Sequence, residues 1–95
     1  MSDSEWKFVD PPNQASISTR QVFEEGYPIL RVSHDEDDGG WQFLCGTTDI
    51  VEDGRVVGIG DVIELDPSIS EVSDLPLGWI AYRETADSPW VRMKR

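Results

Sequence analysis

The stretch Tyr27-Pro28-Ile29-Leu30-Arg31-Val32-Ser33-His34-Asp35-Glu36-Asp37-Asp38-Gly39-Gly40-Trp41-Gln42-Phe43-Leu44-Cys45 holds two apolar runs separated by four acids and two glycines. In a strand, successive side chains point to opposite faces. Trp41, Phe43 and Cys45 therefore fall on one face, with Gln42 and Leu44 on the other. In the first run, Ile29 faces opposite to Leu30 and Val32. This period of two predicts strands over 27–33 and 41–45, with Asp35–Gly40 as the hairpin loop between them.

Before this hairpin, Ala15–Arg20 carries β-branched Ile17 and Thr19 in alternation and reads as a first strand, with Glu24-Glu25-Gly26 as a turn. Residues 1–13 read as an N-terminal tail ending at Asp10-Pro11-Pro12-Asn13, and Trp6 and Phe8, two apart, could lay an apolar edge on the domain. After it, residues 49–60 read as loop, with Asp53-Gly54 as a turn signal. Asp61 followed by Glu64 fits a helix start, and Asp66-Pro67 fits a second, with Asp66 as cap and Pro67 at the first helical position. Residues 77–85 and 90–94 read as strands joined across Ala86–Pro89, and Gly78 marks a bulge or a close backbone approach. The expected fold is α+β: an antiparallel sheet of about five strands with one or two short helices on one side, in a single domain over 14–95.

The 95 residues carry a formal net charge of -11 from 19 Asp and Glu against eight Lys and Arg. Four Trp argue for a folded chain rather than an acidic disordered one. The charge disfavours nucleic acid and anionic membrane surfaces and favours a basic protein partner, because complementary fields speed association. Solubility or salt adaptation would produce the same profile. One cysteine, Cys45, forms no internal disulfide, which points to a reducing compartment. The acidic start Met1-Ser2-Asp3-Ser4-Glu5 lacks the apolar run of a signal peptide, so a cytoplasmic location is expected.

The chemistry-bearing residues do not assemble into a catalyst. The run Asp35–Asp38 with Gly39-Gly40 has a calcium-loop flavour, yet a loop begun at Asp35 places Gly46 at the closing position, and one begun at Ser33 places Leu44 there. Val57-Gly58-Ile59-Gly60 lacks the third glycine of a dinucleotide fingerprint and the Lys-Ser/Thr of a P-loop, and Asp61 would repel a phosphate. One Cys and one His are too few for a closed zinc site. Antiparallel pairing around the 35–40 loop puts His34 beside Trp41 rather than Cys45, so a thiol–imidazole couple is not expected. Cys45 reads as a core side chain, and at least two of Trp41, Trp79 and Trp90 read as mostly buried. No metal, cofactor or enzymatic activity is expected.

The segment Gly40-Trp41-Gln42-Phe43-Leu44-Cys45-Gly46 resembles a family of small bacterial proteins first described as a domain of unknown function and then assigned as immunity proteins of polymorphic toxin systems. Residues 17–22, Gly26 and the strand to Ser33 look like that family's opening. Asp66-Pro67-Ser68-Ile69, Leu75-Pro76-Leu77-Gly78 and Arg83 look like its second half, so the resemblance runs over about residues 15–92. Thr47-Thr48-Asp49 stands where the family is usually acidic. The resemblance implies a protein that covers a toxin stoichiometrically. The acidic residues Asp35, Glu36, Asp37, Asp38, Asp49, Glu52 and Asp53 are then the expected contact set, as one acidic rim facing a basic toxin domain. An accessory or small-ligand-binding module without catalysis is the alternative, and a small enzyme comes third.

Overall fold

The hairpin forms with the register that its alternation requires. In the computed structural model, which describes residues 6–46 and 51–95, β2 (Arg31–His34) pairs antiparallel with β3 (Trp41–Leu44). Val32 lies opposite Phe43 and His34 opposite Trp41. The strand begins later than the apolar run, since Pro28 has no N–H to donate to a ladder. Leu30 still donates its N–H to the Leu44 carbonyl at 2.9 Å.

β1 (Ala15–Thr19) passes directly into α1 (Arg20–Glu24). Thr19 ends the strand with extended backbone and caps the helix, its Oγ1 accepting from the Val22 N–H at 3.4 Å. The expected turn thus begins as a short helix, and the turn follows it at Gly26, with φ of 74°. β4 (Gly54–Gly58) occupies part of what reads as loop, because glycines at both its ends resemble punctuation. Its whole length pairs antiparallel with β1, from Thr19 opposite Gly54 to Ala15 opposite Gly58.

The sheet is mixed and open, in the order β4-β1-β3-β2-β5-β6, with β5 at Trp79–Tyr82 and β6 at Val91–Lys94. It has six strands rather than about five, and β1 runs parallel to β3 with Ile17 opposite Gln42. From β1 the chain crosses through α1 to β2 on the far side of β3. β3, reversed by the hairpin, therefore returns in the direction of β1.

α2 (Ile59–Leu65) follows β4 without a loop, and starts before the Asp61 cap expected from sequence. Asp61 serves instead inside the first turn, where its Oδ2 accepts from the Gly58 N–H at 3.2 Å. Asp66 caps a 3-10 helix over Pro67–Val72, accepting from the Ser68 N–H at 3.0 Å. Ile59 and Val62 from α2, and Ile69 and Val72 from the 3-10 helix, are fully buried with Val32, Phe43, Cys45 and Ala81 of the sheet and its margins. Each of the larger side chains contributes about 1.5–3 kcal/mol by leaving water. Ser16 and Ser18, the inward residues of β1, are reconciled with this core by donating to the carbonyls of Val57 and Phe43 at 3.0 and 2.8 Å. Residues 6–13 lie against the same side: Phe8 is buried edge-on to Trp41 with ring centroids 5.0 Å apart, and the Pro12 carbonyl accepts from the Gly60 N–H.

Candidate protein-binding surface

Four of the seven acids singled out from sequence sit in the β2–β3 hairpin loop. The Asp35 N–H donates to the Gly40 carbonyl at 2.7 Å and the Gly39 N–H to the Asp35 carbonyl at 2.9 Å, so the loop is closed by its own backbone. Gly39 turns it with φ of 74°, a conformation that suits glycine. Asp35 is anchored at both oxygens, by Gln42 Nε2 at 2.7 Å and by Arg95 Nη1 at 3.3 Å. Asp38 accepts from the Gly40 N–H at 2.8 Å. Glu36 and Asp37 are exposed and have no ion pair among the described residues. Within the loop, Asp35 and Asp38 shape it and Glu36 and Asp37 present charge.

The remaining predicted acids lie elsewhere. Glu52 is exposed and Asp53 half-buried at the start of β4, while Asp49 lies outside the described residues. Asp53 accepts from Gln21 Nε2 at 2.8 Å and from Arg20 Nε at 3.4 Å, so it ties the start of β4 to α1. Arg20 also pairs with Glu25, whose carboxylate, with help from Asp53, raises the guanidinium pKa above its ordinary value. Because β1 and β3 are parallel, the Thr19 end of β1 lies with the Leu44 end of β3. Gly54 pairs with Thr19, whereas the hairpin loop precedes Trp41. Asp35–Asp38 and Glu52–Asp53 therefore stand at opposite ends of the sheet, not side by side in one rim. Sequence alone could not reveal this, since the β1–β3 pairing has no local signal.

Five of the six arginines are already engaged in ion pairs within the fold, with Glu24, Glu25, Asp35, Asp53, Asp66 and Asp74. The other ten described side-chain carboxylates have no ion pair among the described residues, which leaves a negative field open to solvent. Arg83 is the deepest of these cations, with a side chain only 2% exposed. Its fork donates to the Ile29 and Ala86 carbonyls, Ser68 Oγ and Asp66 Oδ2 at 2.9–3.0 Å, and it lies 4.2 Å from the Trp90 ring centre. That network is structural: it locks the cap of the 3-10 helix to the end of β5.

His34 stacks on Trp41 at 3.9 Å between ring centres, and its Nδ1 lies 2.7 Å from the Leu75 carbonyl oxygen. Cys45 is buried near Thr19, with 3.8 Å between Sγ and Oγ1. The imidazole and the thiol thus lie at opposite ends of β3. Trp41 is buried, and Trp79 and Trp90 are half-buried against the core. Among the described residues, no group of three or more His, Cys, Asp and Glu converges as a metal site, and no helix is long and apolar enough to cross a membrane. No family model, no curated protein and no solved structure matches this chain.

Proposed function

We propose that this chain is a non-catalytic binding protein of the immunity type, acting in the cytoplasm by covering a basic toxin domain one to one. The observation that carries this reading is the unequal use of charge. Nearly every arginine is engaged inside the fold, while the hairpin acids Glu36 and Asp37 and the distant Glu52 face solvent without a cation among the described residues. Exposed charge of one sign does little for folding, but it raises encounter rates with a partner of opposite sign. Asp35 and Asp38 hold the loop that presents these groups. Asp53 serves the α1–β4 junction first, and Asp49 extends the same acidic segment in sequence. The resemblance around Gly40–Gly46 is what suggests a toxin as the partner.

The test is to clone the open reading frame beside this gene, express its basic C-terminal domain, and titrate its activity with the purified chain. A break at one equivalent is expected. Protection at far lower ratios would indicate turnover, and no protection at any ratio would reject the immunity reading.

A further inference from the structure

The helices and residues 6–13 cover one face of the sheet. The outward side chains of the other face are exposed or half-buried, except Ser33 at 4%, and its composition departs from the rest of the surface. Register carries a single row across all six strands: Val56, Ile17, Gln42, Ser33, Ile80 and Met93. Each alternates with an inward-facing neighbour, so the row lies on one side. A second row runs Leu44, Arg31, Tyr82 and Val91. Val56 is 73% exposed, and Ile17, Tyr82, Val91 and Met93 are each exposed by about two-fifths or more. These are five of the nine large apolar side chains exposed among the described residues.

The two rows contain no carboxylate, in a chain with 19 of them, and Arg31 is their one charge. The acids stand at the ends of the strands. Glu36, Asp37 and Asp38 lie at one end, and Glu52, Glu84 and Asp87 lie at the other. The exposed apolar side chains stand on the two flanks, Val56 and Ile17 on β4 and β1 and Tyr82, Val91 and Met93 on β5 and β6, around a middle of Gln42, Ser33, Leu44 and Arg31. Apolar side chains bounded by charge at the strand ends suit a protein–protein contact.

We infer that this face is the docking surface for a protein that presents apolar side chains to its two flanks and basic residues on two opposite margins. The size and charge of the face select this occupant over a second copy of the chain. Six strands about 4.8 Å apart, with four residues of about 3.3 Å each, give a planar footprint of about 380 Å². Doubled for side-chain relief, that only just reaches the roughly 800 Å² per partner of a standard interface. A contact of that size therefore occupies the whole face up to the acidic strand ends. There a second copy brings like charges together, whereas a basic margin gains complementary pairs. Arg31, in the second row, asks for one acceptor at the partner's centre, a carboxylate or a backbone carbonyl. The inference deepens the binding-protein reading, and it rests on that reading only for the partner's identity.

The experiment uses the full chain and two short peptides, one alternating leucine with lysine and one alternating serine with lysine, with affinity read by fluorescence anisotropy. The leucine peptide should bind the wild type at least about tenfold more tightly than the serine peptide. Tyr82→Ser/Met93→Ser should remove about that factor, and the milder Val56→Ser should remove part of it if the double variant does not fold. Leu65→Ser is the control, because Leu65 is 48% exposed but belongs to α2 on the other face; it should bind as wild type does. Equal binding of the two peptides, or loss on Leu65→Ser equal to that on the face variants, overturns the inference. So does a wild-type dimer in sedimentation that the face variants dissociate. Failure of toxin neutralisation with the peptide result intact would reject only the immunity reading.

Discussion

Arg83 shows how one residue can hold several segments. Its guanidinium is buried and satisfied by two carbonyls, a hydroxyl and the Asp66 carboxylate. Arg83→Met keeps the apolar stem but leaves Asp66 and two carbonyls without their donor. Breaking a buried pair from one side costs about 3–5 kcal/mol, and the partial exposure of Asp66 places the loss near the lower bound. Urea denaturation should show it as a lower midpoint, and an unchanged midpoint would deny the network its role. Cys45 gives a second prediction at this scale. It is 1% exposed, so native-state reaction with thiol reagents should be slow. Cys45→Ser should cost on the order of 1 kcal/mol by burying a smaller, more polar hydroxyl in a site packed for sulfur beside Thr19. The core role of Cys45 and the pairing of His34 with Trp41 were legible in the sequence, because alternation and hairpin register are local. The network of Arg83 was not, since its partners are spread from residue 29 to residue 90.

Among the elements, the turns before β3 and β5 make a paired test. Gly39 and Gly78 both have positive φ, 74° and 81°, where a side chain is strained. A Cβ at Gly39 meets nothing within 4 Å, whereas one at Gly78 would stand 2.8 Å from Glu36 Oε2. Gly39→Ala should cost about 1 kcal/mol, the backbone penalty alone. Gly78→Ala should cost the same if Glu36 swings away, and Glu36→Ala should then change nothing further. A larger loss relieved by Glu36→Ala would show the two turns to be packed rigidly together. Acid titration addresses the joint between β6 and the end of the 3-10 helix. A hydrogen bond from Arg92, reinforced by its charge, holds the Asp74 carboxyl below its ordinary value. The folded state therefore gains stability above the usual carboxylate range and loses it as pH falls through the lowered value. Asp74 is largely exposed, so screening keeps the gain to a few tenths of a kcal/mol. Asp74→Asn should cost those few tenths at neutral pH and nothing at acid pH, which flattens the acid limb of the stability curve slightly. Of the elements themselves, β1, β2, β3, β5, β6 and the Asp66-capped helix were readable from periodicity and caps. α1 and β4 were not: α1 has one buried apolar residue on a single turn, and β4 is a strand because β1 offers it a full ladder.

At the scale of the whole molecule, composition foretold an acidic folded chain, and topology decides where the acids stand. The sequence suggested one rim; the parallel β1–β3 pair puts its described members at opposite ends of the sheet, with a carboxylate-free face between them. In the proposed reading the two acidic margins would steer a basic partner, each over about a Debye length, roughly 8 Å at physiological salt. Glu36, Asp37 and Glu52 have no ion pair among the described residues, so Glu36→Gln/Asp37→Asn/Glu52→Gln should leave the Tm unchanged or slightly raised. The association rate of this triple variant with the proposed partner, a basic toxin domain if the adjacent reading frame encodes one, measured across a salt series beside the wild type, is the most direct test. Association of the variant should be slower by about threefold or more at low salt, with a shallower salt dependence and rates that converge at high salt. Equal rates for variant and wild type at low salt would contradict the proposed steering, and the acidity would then serve solubility or salt tolerance rather than recognition.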